Sequence, residues 1–146
     1  MARKNHHLEA LKMADAQRKR ASLARLQSKK AREKTVELEL PTETGEGTEK
    51  VEVLFRSIGA TEYDKLVTKF PPTSAQRKEG AAYNIDLFAP ALLAAVCVDP
   101  QMTDEEAREL WNSEQWNRGE LLVLFREAID ICITGVSMDP TGSVFG

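Results

Sequence analysis

Pro71-Pro72 on one side and Asp99-Pro100 on the other bracket the most apolar run of the chain, Leu87 to Val98. Proline has no backbone N–H, fixes φ and pushes the residue before it out of the helical region. Each bracket therefore stops any helix that reaches it. The enclosed run is too short to cross a bilayer as a helix, which takes roughly 20 apolar residues. It reads as a buried helix over roughly Ile85 to Val98, with Leu87, Leu92, Leu93 and Val96 in the core. Pro90 stands near its first turn, where a missing N–H costs least.

The remaining elements arrange themselves around this helix. Thr35 to Leu40 alternates apolar and polar residues with period two, and Lys50 to Ile58 begins the same way. The turn formers P-T-E-T-G-E-G-T-E lie between them. This pattern predicts a β-hairpin with a long loop, with Val36, Leu38 and Leu40 on one face. A lone hairpin is marginal in water, so it must pack on helices or on another subunit, and an open edge would suit a homo-oligomer. Thr61 is positioned to cap a helix over Glu62–Phe70, in which Tyr63, Leu66, Val67 and Phe70 form one stripe. Thr73 or Ser74 opens a short polar helix that Gly80 ends. Thr103-Asp104-Glu105-Glu106 matches a capping box for a helix to about Asn112. Asn117-Arg118-Gly119-Glu120 starts a last helix to about Thr134. Its apolar positions are Leu121, Leu124, Phe125, Ala128, Ile129 and Cys132, and Gly135 serves as its cap.

The expected class is α+β, mostly α. Residues 1–34 form a basic helical or partly disordered arm, and 35–58 one β-hairpin. Residues 59–135 form a compact bundle of four to five short helices, and 136–146 a flexible tail.

The net charge of −3 conceals an asymmetry. Residues 1–34 carry eleven Lys and Arg against three Asp and Glu, while the rest carries nine against twenty. A basic arm on an acidic body suits a nucleic acid, an acidic partner, or association of arm with body. The electrostatic candidates are Arg18, Lys19, Arg20, Lys29 and Lys30. The arm has no aromatic residue to stack on bases, which leaves backbone electrostatics alone and speaks against nucleic acid. Its basic start is followed by no apolar run of the kind a secretory signal needs.

Catalytic patterns are missing. The only histidines, His6 and His7, lie in the arm, and Gly45 and Gly47 fit no phosphate-binding spacing. Cys97 and Cys132 are far apart, each in an apolar helical context, and read as reduced, buried thiols rather than a redox or zinc pair. No cofactor and no metal is expected. Trp111 and Trp116 read as core or lid residues, or as aromatic anchors for a partner helix.

From about Thr35 to Thr134 the chain resembles the tail assembly chaperones of long-tailed bacteriophages. The resemblance rests on V-E-L-E-L and V-E-V-L-F-R in the hairpin, Tyr63 and Leu66, Pro71-Pro72-Thr73 and Gln76. It continues through Asn84, Asp86, Phe88, Pro90, Leu92-Leu93, Cys97-Val98-Asp99-Pro100 and Met102-Thr103. The acidic helix Glu105–Leu110, Trp116, Gly119-Glu120 and a final L-F-R-E-A complete it. It implies a non-enzymatic protein of the infected host's cytoplasm, absent from the finished virion. Such a protein holds the long tape measure protein soluble while major tail tube subunits polymerise around it. A longer frameshifted product is common in that family. Phe88 and Leu92, with Trp111 and Trp116 opposite, would line the client groove. Two other readings stay open: a structural tail or head–tail connector subunit, and a nucleic-acid-binding regulator acting through the arm.

Overall fold

A computed structural model of the chain describes residues 19–134. They are α+β and mostly α, with six helices and one three-stranded antiparallel sheet. The chain falls into two units divided between Lys30 and Ala31. The described part of the first unit holds the short helix α1 (Leu23–Gln27), capped by the Ser22 hydroxyl, with every side chain exposed. Arg18, His6, His7, Gly135 and the tail lie outside the described residues.

The second unit opens with β1 (Glu33–Pro41) and β2 (Thr48–Arg56), paired from Glu33↔Arg56 to Pro41↔Thr48. Val36 is buried and Leu38 and Leu40 are half-buried on one face, as their alternation predicts. The loop between the strands closes through the Thr42 N–H on the Gly47 carbonyl at 3.1 Å. Gly45 and Gly47 have φ of 81° and 74°, a region that L side chains rarely enter, so the G-E-G of this loop is a backbone requirement.

Five helices and one further strand follow. They are α2 (Ala60–Lys69), α3 (Ser74–Lys78), α4 (Ile85–Val96), β3 (Cys97–Asp99), α5 (Asp104–Trp111) and α6 (Arg118–Ile133). Reciprocal capping boxes start three of the helices: Thr73 with Gln76, Thr103 with Glu106, and Asn117 with Glu120. In each, the cap side chain accepts from the N–H three residues on, and that residue's side chain accepts from the cap N–H. Helix α2 begins two residues earlier than the sequence suggests. Gly59 is its cap and makes no side-chain bond, so Thr61 lies inside the helix.

The apolar helix departs from expectation at three points. It ends at Val96, because Cys97 turns extended at φ −75° and ψ 117°. Cys97–Asp99 then adds a third strand to the hairpin, with Phe55↔Cys97 and Leu54↔Asp99 opposite each other across a register irregularity. Cys97 is therefore in a strand, not a helix, and the hairpin is a three-stranded sheet. Pro90 is the sixth residue of α4, so it stands in the second turn and leaves the Asp86 carbonyl without its N–H donor. Leu87, expected in the core, is 47% exposed. The same helix does bury Phe88, Ala89, Leu92, Leu93 and Val96.

The core forms where α4 packs against α5, α6 and α2, with the sheet touching α6. Phe88 is its centre. The ring meets Tyr63 edge-on at 5.9 Å, Tyr83 at 4.3 Å and Phe125 at 6.0 Å between centroids, and Phe125 meets Trp111 at 6.1 Å. Edge-to-face contact sets the positive rim of one ring against the negative face of the next and adds about 0.5–1.5 kcal/mol per pair beyond area burial. Ala89, Ala107 and Ala128 are fully buried, which lets neighbouring backbones approach closely. The Tyr63–Leu66–Val67–Phe70 stripe of α2 lies half-buried against this core.

Candidate binding cleft

Several ionisable groups of the described body are committed to structure. Lys34 on β1 bridges Glu127 and, at 3.5 Å, Asp130, both on α6. The Glu127 hydrogen bond chiefly holds the Lys34 ammonium above its ordinary range. The Thr134 hydroxyl, and after it Lys34, hold the Asp130 carboxyl below its ordinary range. The Arg32 guanidinium donates to the Thr134 carbonyl at 3.0 Å, tying the root of β1 to the end of α6. Burial pushes the thiols of Cys97 and Cys132 up, which keeps both protonated and poorly nucleophilic at neutral pH. Among the described residues, no group of three or more His, Cys, Asp or Glu is placed to hold a metal ion. Among them, too, no helix is long and apolar enough to cross a membrane.

One concave feature stands apart from this wiring. A cleft of about 690 Å3 opens where the end of β2, the start of α2, the end of α4 and the β3–α5 connection converge. Half-buried Ile58, Ala94, Val98 and Met102 form an apolar patch in a lining that is otherwise largely polar. Exposed Arg56, Glu62 and Glu106 give it charge. The Arg56 guanidinium is engaged with Glu33, its Nε and Nη2 reaching one carboxylate oxygen at 3.2 and 2.8 Å. Among the described residues neither Glu62 nor Glu106 has a salt-bridge partner. Glu106 accepts from the Thr103 N–H at 2.9 Å, which fixes its side chain at the cleft wall while its charge stays uncompensated. The cleft therefore joins apolar surface to net negative potential. It lies within the size range of about 300–1,000 Å3 of ligand clefts.

The residues expected to line a client groove lie elsewhere. Phe88 and Leu92 are fully buried and Trp111 is 1% exposed, so all three are core and offer a partner no surface. The sequence places apolar rings correctly on α4 and α5, but the facing helices fill the space between them. The indole N–H of Trp111 is buried with no hydrogen-bond partner among the described residues, while the Arg118 guanidinium lies over the ring at 4.6 Å. Trp116 is half-buried in the α5–α6 connection against the edge of the core. Lys19, Arg20, Lys29 and Lys30 are exposed.

Sequence reasoning missed the cleft because its lining is drawn from five separate elements and their connections. The sequence pattern puts Ile58 at the end of a hairpin strand and Val98 at the end of the buried helix, while Met102 falls between elements. No local pattern brings these three together.

Compared with protein-family models, curated proteins and solved structures, the chain matches none.

Proposed function

We propose that this protein is a non-enzymatic tail assembly chaperone of a long-tailed bacteriophage, which binds helical segments of the tape measure protein. The resemblance stated above, spread from the hairpin to the last helix, suggests the class. The observation that carries the reading is the cleft itself, which sets an apolar patch of Ile58, Val98 and Met102 beside Glu62 and Glu106. An amphipathic client helix sets apolar side chains against Ile58, Val98 and Met102 while its cationic flank meets Glu62 and Glu106. One such site is shallow and partly charged, so single contacts are weak. A long client presenting many helical segments recruits many copies, and their joint hold is strong yet reversible when tube subunits displace them.

Co-expression tests the reading. The tape measure protein alone is expected in the insoluble fraction and, with this protein, in the soluble fraction as a complex. Ile58→Asp in the cleft abolishes that rescue while the far-ultraviolet circular dichroism spectrum is unchanged. A client that stays insoluble with the wild-type protein refutes the proposal. A stoichiometric amount of this protein in purified virions refutes it in favour of a tail or connector subunit.

A further inference from the structure

The described segment ahead of the body is cationic without exception. Residues 19–30 contain five Lys and Arg and no Asp or Glu. Within it, Leu23 and Leu26 stand three apart, a spacing that puts both on one side of α1. Their exposures are 69% and 63%, the largest among the exposed large hydrophobics of the described residues. A helix showing two leucines and a cationic surround complements the cleft, which shows an apolar patch beside two glutamates without a salt-bridge partner among the described residues.

We propose that the cleft of one copy receives the Lys19–Lys30 segment of a second copy. Leu23 and Leu26 seat on Ile58, Val98 and Met102, and Lys29 and Lys30 pair with Glu62 and Glu106. The opposite balance of the two regions, five cations without an anion against a body rich in Asp and Glu, draws the copies together. A reciprocal exchange of segments closes a two-fold dimer, because each copy then offers the same pair of surfaces. The other open surface, the free edge of β1, is a poor route to self-association. Antiparallel pairing of two β1 strands with their apolar faces together, in any register centred between Thr35 and Glu39, sets glutamates opposite glutamates. The second copy occupies the same lining as the proposed client and so competes with it, but self-association is read on the protein alone, and its failure leaves the chaperone reading standing.

Sedimentation velocity of the full chain across a concentration series tests it. Wild type is expected to move from monomer to dimer, with the dimer weakened by salt. Glu62→Lys with Glu106→Gln keeps the capping box, since glutamine serves at that position. It weakens association on the order of tenfold, the amount that two exposed ion pairs supply. Lys29→Glu with Lys30→Glu does the same. Mixing the two variants restores association, because each then finds its electrostatic complement in the other. Leu23→Ser with Leu26→Ser, at exposed positions that leave the fold intact, also weakens it. A monomer at all concentrations overturns the proposal, as does association unchanged in these variants. Cross-links between Lys29 or Lys30 and Glu62 found only within a chain, in a mixture of isotope-labelled and unlabelled protein, overturn it too. So does salt-sensitive binding of duplex DNA through the cationic segment by a protein that shows no self-association.

Discussion

Replacing Phe88 by alanine separates a core residue from a groove residue. The ring is fully buried and contacts three other aromatic rings, from Tyr63, Tyr83 and Phe125. Truncating a buried phenylalanine costs about 3–5 kcal/mol, from lost transfer energy and from the cavity left when neighbours relax only in part. Three aromatic contacts, each worth about 0.5–1.5 kcal/mol beyond area, place Phe88→Ala toward the upper end, at about 4–5 kcal/mol. Domains of this size have total stabilities of about 5–15 kcal/mol, so the loss is a large share of the whole. With a urea slope of about 1–3 kcal/mol per molar, the midpoint falls by about 1.3–5 M. Phe88→Leu keeps most of the volume and costs about 1–2 kcal/mol. Equilibrium urea unfolding followed by tryptophan fluorescence measures both. A midpoint shift below about 0.5 M for Phe88→Ala, at unchanged slope, refutes the packing argument. Lost client binding together with such a small shift would return Phe88 to the surface.

Three further predictions follow from local chemistry. Asn117→Ala removes the cap of α6, whose side chain accepts from the Glu120 N–H at 2.8 Å, and lowers stability by about 1 kcal/mol in the same unfolding assay. Trp111→Phe deletes the unpartnered indole N–H along with part of the ring. Relief of a buried donor costing about 1–3 kcal/mol offsets the lost area, so thermal unfolding moves by less than the equivalent of about 1 kcal/mol, whereas Trp111→Ala loses about 3–5 kcal/mol. For Lys34→Met the gap to wild type depends on pH. The Asp130 carboxyl lies below its ordinary 3.8, so its contribution is present above that value and disappears as pH falls through the folded pKa. The Lys34 ammonium lies above its ordinary 10.5, so its contribution is present below that value and disappears as pH rises through the folded pKa. The difference in melting temperature is therefore flat around neutrality and narrows at both extremes. Both side chains are more than a third exposed, which holds it under about 1 kcal/mol.

Features encoded within four residues were legible in the sequence. Thr103 begins a helix with the reciprocal bonds that its spacing to Glu106 demands; Asn117, read as a helix start, and Thr73, one of the two starts offered, make the same bonds with Glu120 and Gln76. The stripe on α2 and the inward face of β1 were legible for the same reason, since alternation reports which side is dry. Helix α4 was harder. Its residues are apolar on nearly every side, so periodicity could not say that Leu87 faces water while Phe88 does not. Strand β3 was out of reach, because three residues carry no period and their partners on β2 lie more than forty positions away. The cleft shared that difficulty: Ile58 and Met102 come together only once β3 has joined the helices to the sheet.

Strand β3 covers β2 only at Leu54 and Phe55, and leaves the outer edge of Thr48–Val53 unpaired. Amide hydrogen exchange therefore divides the hairpin in two. The tip opens by local fraying, at little cost and without disturbing the helices. The base opens only when Cys97 leaves the sheet, and Cys97 follows Val96, whose burial in the core means that α4 must loosen as well. Protons at the base thus report the opening of the whole body, while those at the tip exchange many times for each such event.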